Sequence, residues 1–79
     1  MNIKVIGLQN LDFVTKDGNH IKGINVYAMF PDKKIQGFRC EKFYISQEIV
    51  LPKGGIQVND TIDLVFDFKG KIESISKVE

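Results

Sequence analysis

The feature that most constrains the fold of this chain is the alternation of apolar and polar residues in short runs that turn residues interrupt. Four such runs cover residues 21–30, 38–46, 61–68 and 71–78. Between them lie segments rich in proline, glycine, aspartate and lysine, at residues 31–34, 52–55 and 69–70. Apolar residues at every second position are typical of β-strands, and no stretch keeps the 3.6-residue period of an amphipathic helix. The pattern predicts a small all-β protein.

The first strand is expected to span residues 3–15 and to bend. Apolar residues occupy both of its faces, with Gly7 between them. A bulge or bend near Gly7 would allow one strand to serve two sides of a barrel. The Asp17-Gly18 pair then predicts a tight hairpin turn, because it supplies the positive φ that such a turn needs. With the four later runs, the chain is predicted to form a five-stranded antiparallel barrel of the OB type.

Five large residues on the apolar sides of their strands are predicted to fill the core. They are Val26, Phe38, Phe43, Leu64 and Phe66. Phe38 and Phe43 have opposite parity, so a bulge near Glu41 and Lys42 is needed to turn both inward. The same bulge would bury Cys40, which we interpret as a small core residue.

The composition predicts a single globular domain over residues 1–79. A chain this short buries only roughly 60% of its unfolded surface, so association into a homodimer would add buried area. The net charge is +1, but residues 1–44 carry seven basic against four acidic side chains, and residues 45–79 carry four against six. The basic first half is suited to a phosphate backbone, although ordinary solvated charge explains the same counts.

The sequence indicates neither export nor a membrane partner. Residues 1–13 lack the apolar segment of a signal peptide, and no run approaches the ~18 apolar residues of a membrane span. The single cysteine excludes an internal disulfide and a cysteine-rich zinc site. We therefore expect a cytoplasmic protein.

No arrangement of residues in this chain predicts catalysis. The one histidine, His20, falls in a hairpin turn, where a solvated role is the simpler interpretation. No set of residues has the spacing of metal ligands, and no glycine-rich phosphate loop precedes a helix. The many large core candidates argue against an interior cavity for a small molecule. We expect a protein that is not an enzyme and needs no cofactor.

Two tyrosines carry the prediction of a binding site. Tyr27 and Tyr44 each fall on the outward parity of a strand, among basic residues. The basic residues of this predicted site are Lys16, Lys22, Lys33, Lys34, Arg39 and Lys42. Exposed aromatics interleaved with positive charge are typical of surfaces that bind single-stranded nucleic acid, where bases stack on rings. The alternative is that the tyrosines only cover half-buried sheet surface.

The layout of the chain also resembles a known family. A first strand ends near residues 13–16, a hairpin follows at Asp17-Gly18, and the second strand contains Gly23 and Tyr27 before a glycine-bearing loop and a closing hairpin. In this order the chain resembles the small single-stranded DNA-binding proteins of filamentous phages and mobile elements, over most of its length. The resemblance implies an OB-type barrel that binds single-stranded DNA or RNA as a homodimer, without sequence preference, in DNA replication or transfer.

A second class of function fits the same residues. A protein-interaction or assembly module of a phage or plasmid would use its strand edges and apolar side chains for partner contacts. An exposed apolar patch without a basic stripe would distinguish that class from the nucleic-acid binders.

Overall fold

The computed structural model describes residues 1–78, which contain five β-strands and no helix. The strands are β1 (Asn2–Val14), β2 (His20–Pro31), β3 (Phe38–Ser46), β4 (Thr61–Phe66) and β5 (Ile72–Lys77). All pair in antiparallel fashion in one sheet, in the order β3-β2-β1-β4-β5. The prediction of an all-β protein with five antiparallel strands is confirmed. None of the residues described forms a helix that could cross a membrane.

A β-bulge in β1 allows this strand to pair on both sides. β1 pairs with β4 through residues 2–4 and with β2 through residues 4–14. The register shifts between Val5 and Gly7, so Ile6 has no opposite residue on β2. An extra residue of this kind bends a strand and increases its twist. The bulge predicted near Gly7 is confirmed.

The sheet ends at β3 on one side and at β5 on the other. Within residues 1–78 no β3–β5 pairing closes it into a barrel. Residues 47–60 connect β3 to β4 through turns, and Gly54, Gly55 and Asn59 adopt a positive φ there. A five-stranded antiparallel sheet is thus established, which is a coarser result than the barrel expected from the sequence.

The core is aliphatic. Its buried members are Ile3, Val5, Val26, Ala28, Ile45, Ile62, Leu64 and Ile75. Removing such side chains from water is the main favourable contribution to folding. Phe30 and Phe43 pack against this cluster but stay partly exposed, with ring centroids 6.3 Å apart. The predictions for Val26 and Leu64 are confirmed, and Phe43 lies at the margin of the core.

The bulge predicted in β3 is wrong. Nine consecutive residue pairs join β2 to β3 without a shift, so side chains alternate strictly along the strand. Phe43 and Ile45 face the core, whereas Phe38 and Cys40 point to the opposite face. Phe38 is 58% exposed and Cys40 is exposed, so the prediction that both are core residues is also wrong. An uninterrupted ladder keeps every β3 backbone group that faces β2 hydrogen-bonded, which a bulge would not.

β4 ends two residues before the predicted end at Phe68. The Asp67 carboxylate accepts hydrogen bonds from the backbone N–H groups of Lys69 and Lys71, at 2.9 and 3.0 Å, and so forms a tight turn. The register shifts just before this turn, between Val65 and Phe66. Phe66 is consequently 37% exposed and Phe68 94% exposed. The prediction that Phe66 is a filled core position is wrong, although its ring lies 6.4 Å from that of Phe43.

Candidate nucleic-acid interface

Tyr27 and Tyr44 lie on one face of two neighbouring strands. Tyr27 is directly opposite Lys42, and Tyr44 is directly opposite Asn25. Opposite residues of an antiparallel pair point to the same side of the sheet, so the two rings are diagonal neighbours. Tyr27 is 38% exposed and Tyr44 45% exposed. We call the side of β1, β2 and β3 that carries Tyr27, Lys42 and Tyr44 the tyrosine face.

Each tyrosine ring lies against a glycine of the adjacent strand. A Cβ atom placed on Gly7 would be 3.4 Å from the Cβ of Tyr27, in ordinary contact. A Cβ atom on Gly23 would be 2.9 Å from the Tyr44 hydroxyl and 2.4 Å from the Ile45 carbonyl oxygen. The missing side chains give the rings room to lie against the sheet, an arrangement in which an aromatic covers a strand glycine.

Hydrogen bonds hold both hydroxyl groups. The Tyr27 hydroxyl donates to Gln9 Oε1 at 2.9 Å, and the Asn25 amide donates to the same oxygen at 3.3 Å. The Tyr44 hydroxyl donates to the Lys22 backbone oxygen at 3.2 Å. Asn25 is the one buried polar residue among those described, and its side-chain amide is hydrogen-bonded through the contact with Gln9. The two rings are therefore fixed in orientation before any ligand arrives.

The tyrosine face carries positive charge without negative charge. Lys42 lies opposite Tyr27, and Lys4, opposite Met29, is on the same side. Asp12 and Glu41 are the carboxylate residues of β1, β2 and β3, and their pairing with Lys22 and Ala28 puts them on the other side. A polyanion that approaches the tyrosine face would thus meet lysines and no carboxylate of these three strands.

Arg39 lies on the face opposite the tyrosines. Its Nε donates to Asp32 Oδ2 at 2.6 Å, and its Nη1 approaches Glu41 Oε1 at 3.5 Å. The hydrogen bond with Asp32 is the main reason that the pKa of Arg39 is raised. The pKa of Asp32 is lowered, first by the Lys34 backbone N–H and then by Arg39. Arg39 therefore neutralises neighbouring carboxylates on its own face.

Lys22 is also on the opposite face, paired with Asp12 in the ladder. The pKa of Asp12 is lowered, chiefly by a side-chain hydrogen bond with His20 and less by the charges of His20 and Lys22. The sequence already indicated that Lys22 and Arg39 face away from the tyrosines. Lys22 and Tyr27 have opposite parity on β2, as do Arg39 and Tyr44 on β3. The predicted site grouped them by charge alone.

The other predicted lysines lie in turns at opposite ends of β2. Lys16 is in the β1–β2 turn, and Lys33 and Lys34 are in the β2–β3 turn, all exposed. Of the eight predicted residues, the structure therefore brings together Tyr27, Lys42 and Tyr44 on one face.

Sequence reasoning missed a cleft beside Tyr44. Its volume is about 530 Å³, and it separates β3 from the β4–β5 turn. It is lined by Tyr44, Ser46, Glu48, Ile49, Asp67, Gly70, Lys71 and Ile72. On the same turn, Lys69 Nζ lies 5.7 Å from the ring centroid of Phe68. The sequence predicted the turn at residues 69–70, but it carried no signal for the cleft, whose two sides come from segments distant along the chain.

A smaller pocket of about 300 Å³ lies between the β1–β2 ribbon and residues 47–51. Its lining includes Leu11, Ile24 and Leu51 together with Asp12 and Lys22. No group of three or more histidine, cysteine or acidic residues in the described chain is placed to hold a metal ion.

Comparisons with known proteins add no family to this description. No protein-family model matches the chain, and no match was found among the curated proteins or the solved structures.

Proposed function

We propose that this protein binds single-stranded nucleic acid on the tyrosine face, without sequence preference and without catalysing a reaction. The proposal includes a homodimer that serves the replication or transfer of phage or mobile-element DNA. The observation that carries it is the placement of two half-exposed tyrosine rings with Lys42 on a side of β1–β3 that has no carboxylate. Every base has a flat face for such rings, and lysines neutralise phosphates whatever the sequence.

The strand order supports an OB-type barrel as the finer description of the fold. β1 occupies the centre of the sheet and is flanked by β2 and β4. β3 and β5, each in a hairpin with one of these strands, form the two free edges. OB folds are partly open, and they bind oligonucleotides on strands 2 and 3 and on the loops that join strands 1–2 and 4–5. Here the tyrosines lie on β2 and β3, Lys16 is in the β1–β2 turn, and Phe68 with Lys69 is in the β4–β5 turn.

The fixed rings support stacking at low entropic cost. Both hydroxyls are hydrogen-bonded within the sheet, so a base that stacks on Tyr27 or Tyr44 does not have to immobilise a free side chain. Stacking of this kind contributes ~1–3 kcal/mol per base. The low net charge of +1 makes us expect modest affinity and few phosphate contacts.

The test is a fluorescence-anisotropy titration with labelled oligo-dT at about 50 and 200 mM salt. We expect binding at low salt, a log-log salt slope of about −0.7 for each phosphate contact, and weaker binding to duplex DNA. Absence of any anisotropy change at the lower salt concentration would falsify the proposal.

Matched variants locate the site. Tyr27→Leu and Tyr44→Leu keep an apolar cover over the adjacent glycine but remove the flat ring, so affinity should fall roughly ten- to a hundredfold at unchanged salt slope. Lys42→Ala should flatten the slope, as should Lys33→Ala combined with Lys34→Ala. Lys22→Ala, on the opposite face, is the control and should leave the slope unchanged.

A second candidate is a protein-interaction or assembly module of a phage or plasmid. It is favoured by the large apolar side chains that remain exposed, of which Phe68, Val50 and Val14 are the most exposed. Exposed apolar surface of this kind is typical of contact sites. The module becomes the leading function if oligo-dT does not bind to the folded protein at low salt.

A further inference from the structure

We propose that β3 is a dimerisation strand, whose free edge pairs with β3 of a second copy of this chain in antiparallel orientation, with Cys40 next to the two-fold axis. The β3 pairing would be the interface of the homodimer that the proposed function includes, and it rests on the homodimer part of that proposal.

The two edges of the sheet differ in how well they are protected. β3 offers nine residues without a register shift and without proline. β5 is only six residues long and pairs with β4 through an irregular register. Long, flat edges readily accept another strand, whereas short or bulged edges resist it. The β3 edge is therefore the one suited to strand addition.

The backbone groups of β3 that point away from β2 follow from one hydrogen bond. The Gln47 N–H donates to the Lys22 carbonyl oxygen at 3.3 Å, which continues the β2–β3 register beyond the strand. In an antiparallel ladder alternate residues bond inward and outward. The odd-numbered residues of β3 thus bond to β2, and the outward N–H and C=O groups include those of Phe38, Cys40 and Lys42, which lie in the segment 38–42 that a pairing centred on Cys40 would use.

Charge disfavours three registers of the pairing and favours the one centred on Cys40. Centring the two-fold axis on residue 39, 41 or 42 would set Arg39, Glu41 or Lys42 against the same residue of the second copy. Like charges directly opposite each other are destabilising. With Cys40 on the axis, Arg39 lies opposite Glu41 of the second copy, and this opposite-charge pair occurs twice. The guanidinium bonds Asp32 through Nε and approaches Glu41 of its own chain through Nη1, and its Nη2 N–H groups remain for the contact with the second copy.

Apolar surface next to the edge supports the same register. Phe38 is highly exposed, and in the β2–β3 ladder it lies opposite Pro31, next to the pair formed by Met29 and Cys40. The proposed pairing would cover Phe38 with the Lys42 side chain of the second copy and bring the two Cys40 residues together. It would also join the two tyrosine faces into one continuous surface, on which a single strand could contact both copies with increased avidity.

The first test measures association without nucleic acid, so its result is independent of the binding assay. Sedimentation equilibrium at micromolar concentration should give a dimer. Glu41→Lys places like charges opposite each other twice and should raise the dimer dissociation constant at least tenfold. Glu73→Lys makes the same charge change on β5 and should leave it unchanged. A monomer at the highest accessible concentration, or a dimer that Glu73→Lys weakens and Glu41→Lys does not, overturns the proposal.

The second test uses the single cysteine. Opposite residues of a hydrogen-bonded antiparallel pair have Cα atoms about 5.5 Å apart, within the range that a disulfide spans. Treatment with the thiol oxidant diamide should therefore give a covalent dimer on a non-reducing gel. Cys40→Ser combined with Ser74→Cys moves the thiol to an exposed position on β5 and should give little covalent dimer. Equal cross-linking of both proteins contradicts the β3 interface, whatever the oligo-dT titration shows.

Discussion

The inner and outer sides of the sheet use different apolar side chains. The inner side is lined by isoleucine, leucine, valine and alanine that are almost completely buried. The outer side of β2 and β3 carries Tyr27, Phe38 and Tyr44, all of which keep a large exposed fraction. Branched aliphatic side chains are stiff and fill the interior well, whereas tyrosine has a polar tip that suits a surface open to water. The comparison separates residues that stabilise this fold from residues that remain available for a ligand.

The largest effect that we expect comes from the inner side. Leu64→Ala should lower the free energy of unfolding by ~2–5 kcal/mol, because it leaves a cavity in the aliphatic core. Val65→Ala, on the same strand with its side chain exposed, should cost less than about 1 kcal/mol. Urea denaturation of both variants measures the difference.

Phe66→Ala extends this comparison along β4. A fully buried phenylalanine would cost ~3–5 kcal/mol when replaced by alanine. Because Phe66 keeps a third of its surface in water, its replacement should cost less than that of Leu64. An equal loss for the two variants would mean that the aromatic margin supports the fold as much as the aliphatic core does.

The next effect concerns the glycines beneath the tyrosine rings. Gly23→Ala should destabilise the protein by ~1–3 kcal/mol, since the new Cβ would lie 2.4 Å from the Ile45 carbonyl oxygen and force the backbone to shift. Gly7→Ala is the matched control, because its Cβ would meet Tyr27 only at 3.4 Å. The two midpoints of thermal unfolding should differ clearly; similar midpoints would show that β3 moves away without strain.

A smaller effect separates the hydroxyl of Tyr44 from its ring. Tyr44→Phe removes the hydrogen bond to the Lys22 carbonyl and should cost ~0.5–1.5 kcal/mol of stability. Oligo-dT affinity should stay close to that of the wild type, because the flat ring remains. A loss of affinity as large as that of Tyr44→Leu would indicate that the hydroxyl itself contacts the ligand, and so would contradict a pure stacking role.

The smallest effect is a pH dependence of the ion pair between Asp32, in the β2–β3 turn, and Arg39, on the inner side of β3. The pKa of Asp32 lies below its ordinary value of 3.8, because the Lys34 N–H and Arg39 hydrogen-bond the charged carboxylate. A lowered pKa gives stability that is present above pH 3.8 and is lost as the pH falls through the folded-state pKa. Asp32→Asn should therefore be less stable than the wild type near neutral pH and approach it in acid. Urea midpoints of the wild type and the variant near neutral pH and below pH 3.8 provide the measurement. A difference between the two proteins that does not change with pH would exclude Asp32 as the titrating group.

The alternation and the turn residues by themselves determined the number, the approximate bounds and the antiparallel character of the strands. These are local properties, since a strand exposes opposite sides at successive residues and a turn depends on a few neighbouring positions. The same alternation determined that Tyr27 and Tyr44 point outward, and the glycine within β1 marked the bulge.

Only the tertiary structure decided which apolar residues are buried and which charges are paired. The continuous ladder of β2 and β3 turned Phe38 and Cys40 outward, and the Asp67 turn left Phe68 in water. The ion pair between Arg39 and Asp32 joins a strand to a turn, so it depends on how the chain returns on itself. Burial and ion pairing arise between different strands and turns, and therefore the pattern within any single strand does not specify them.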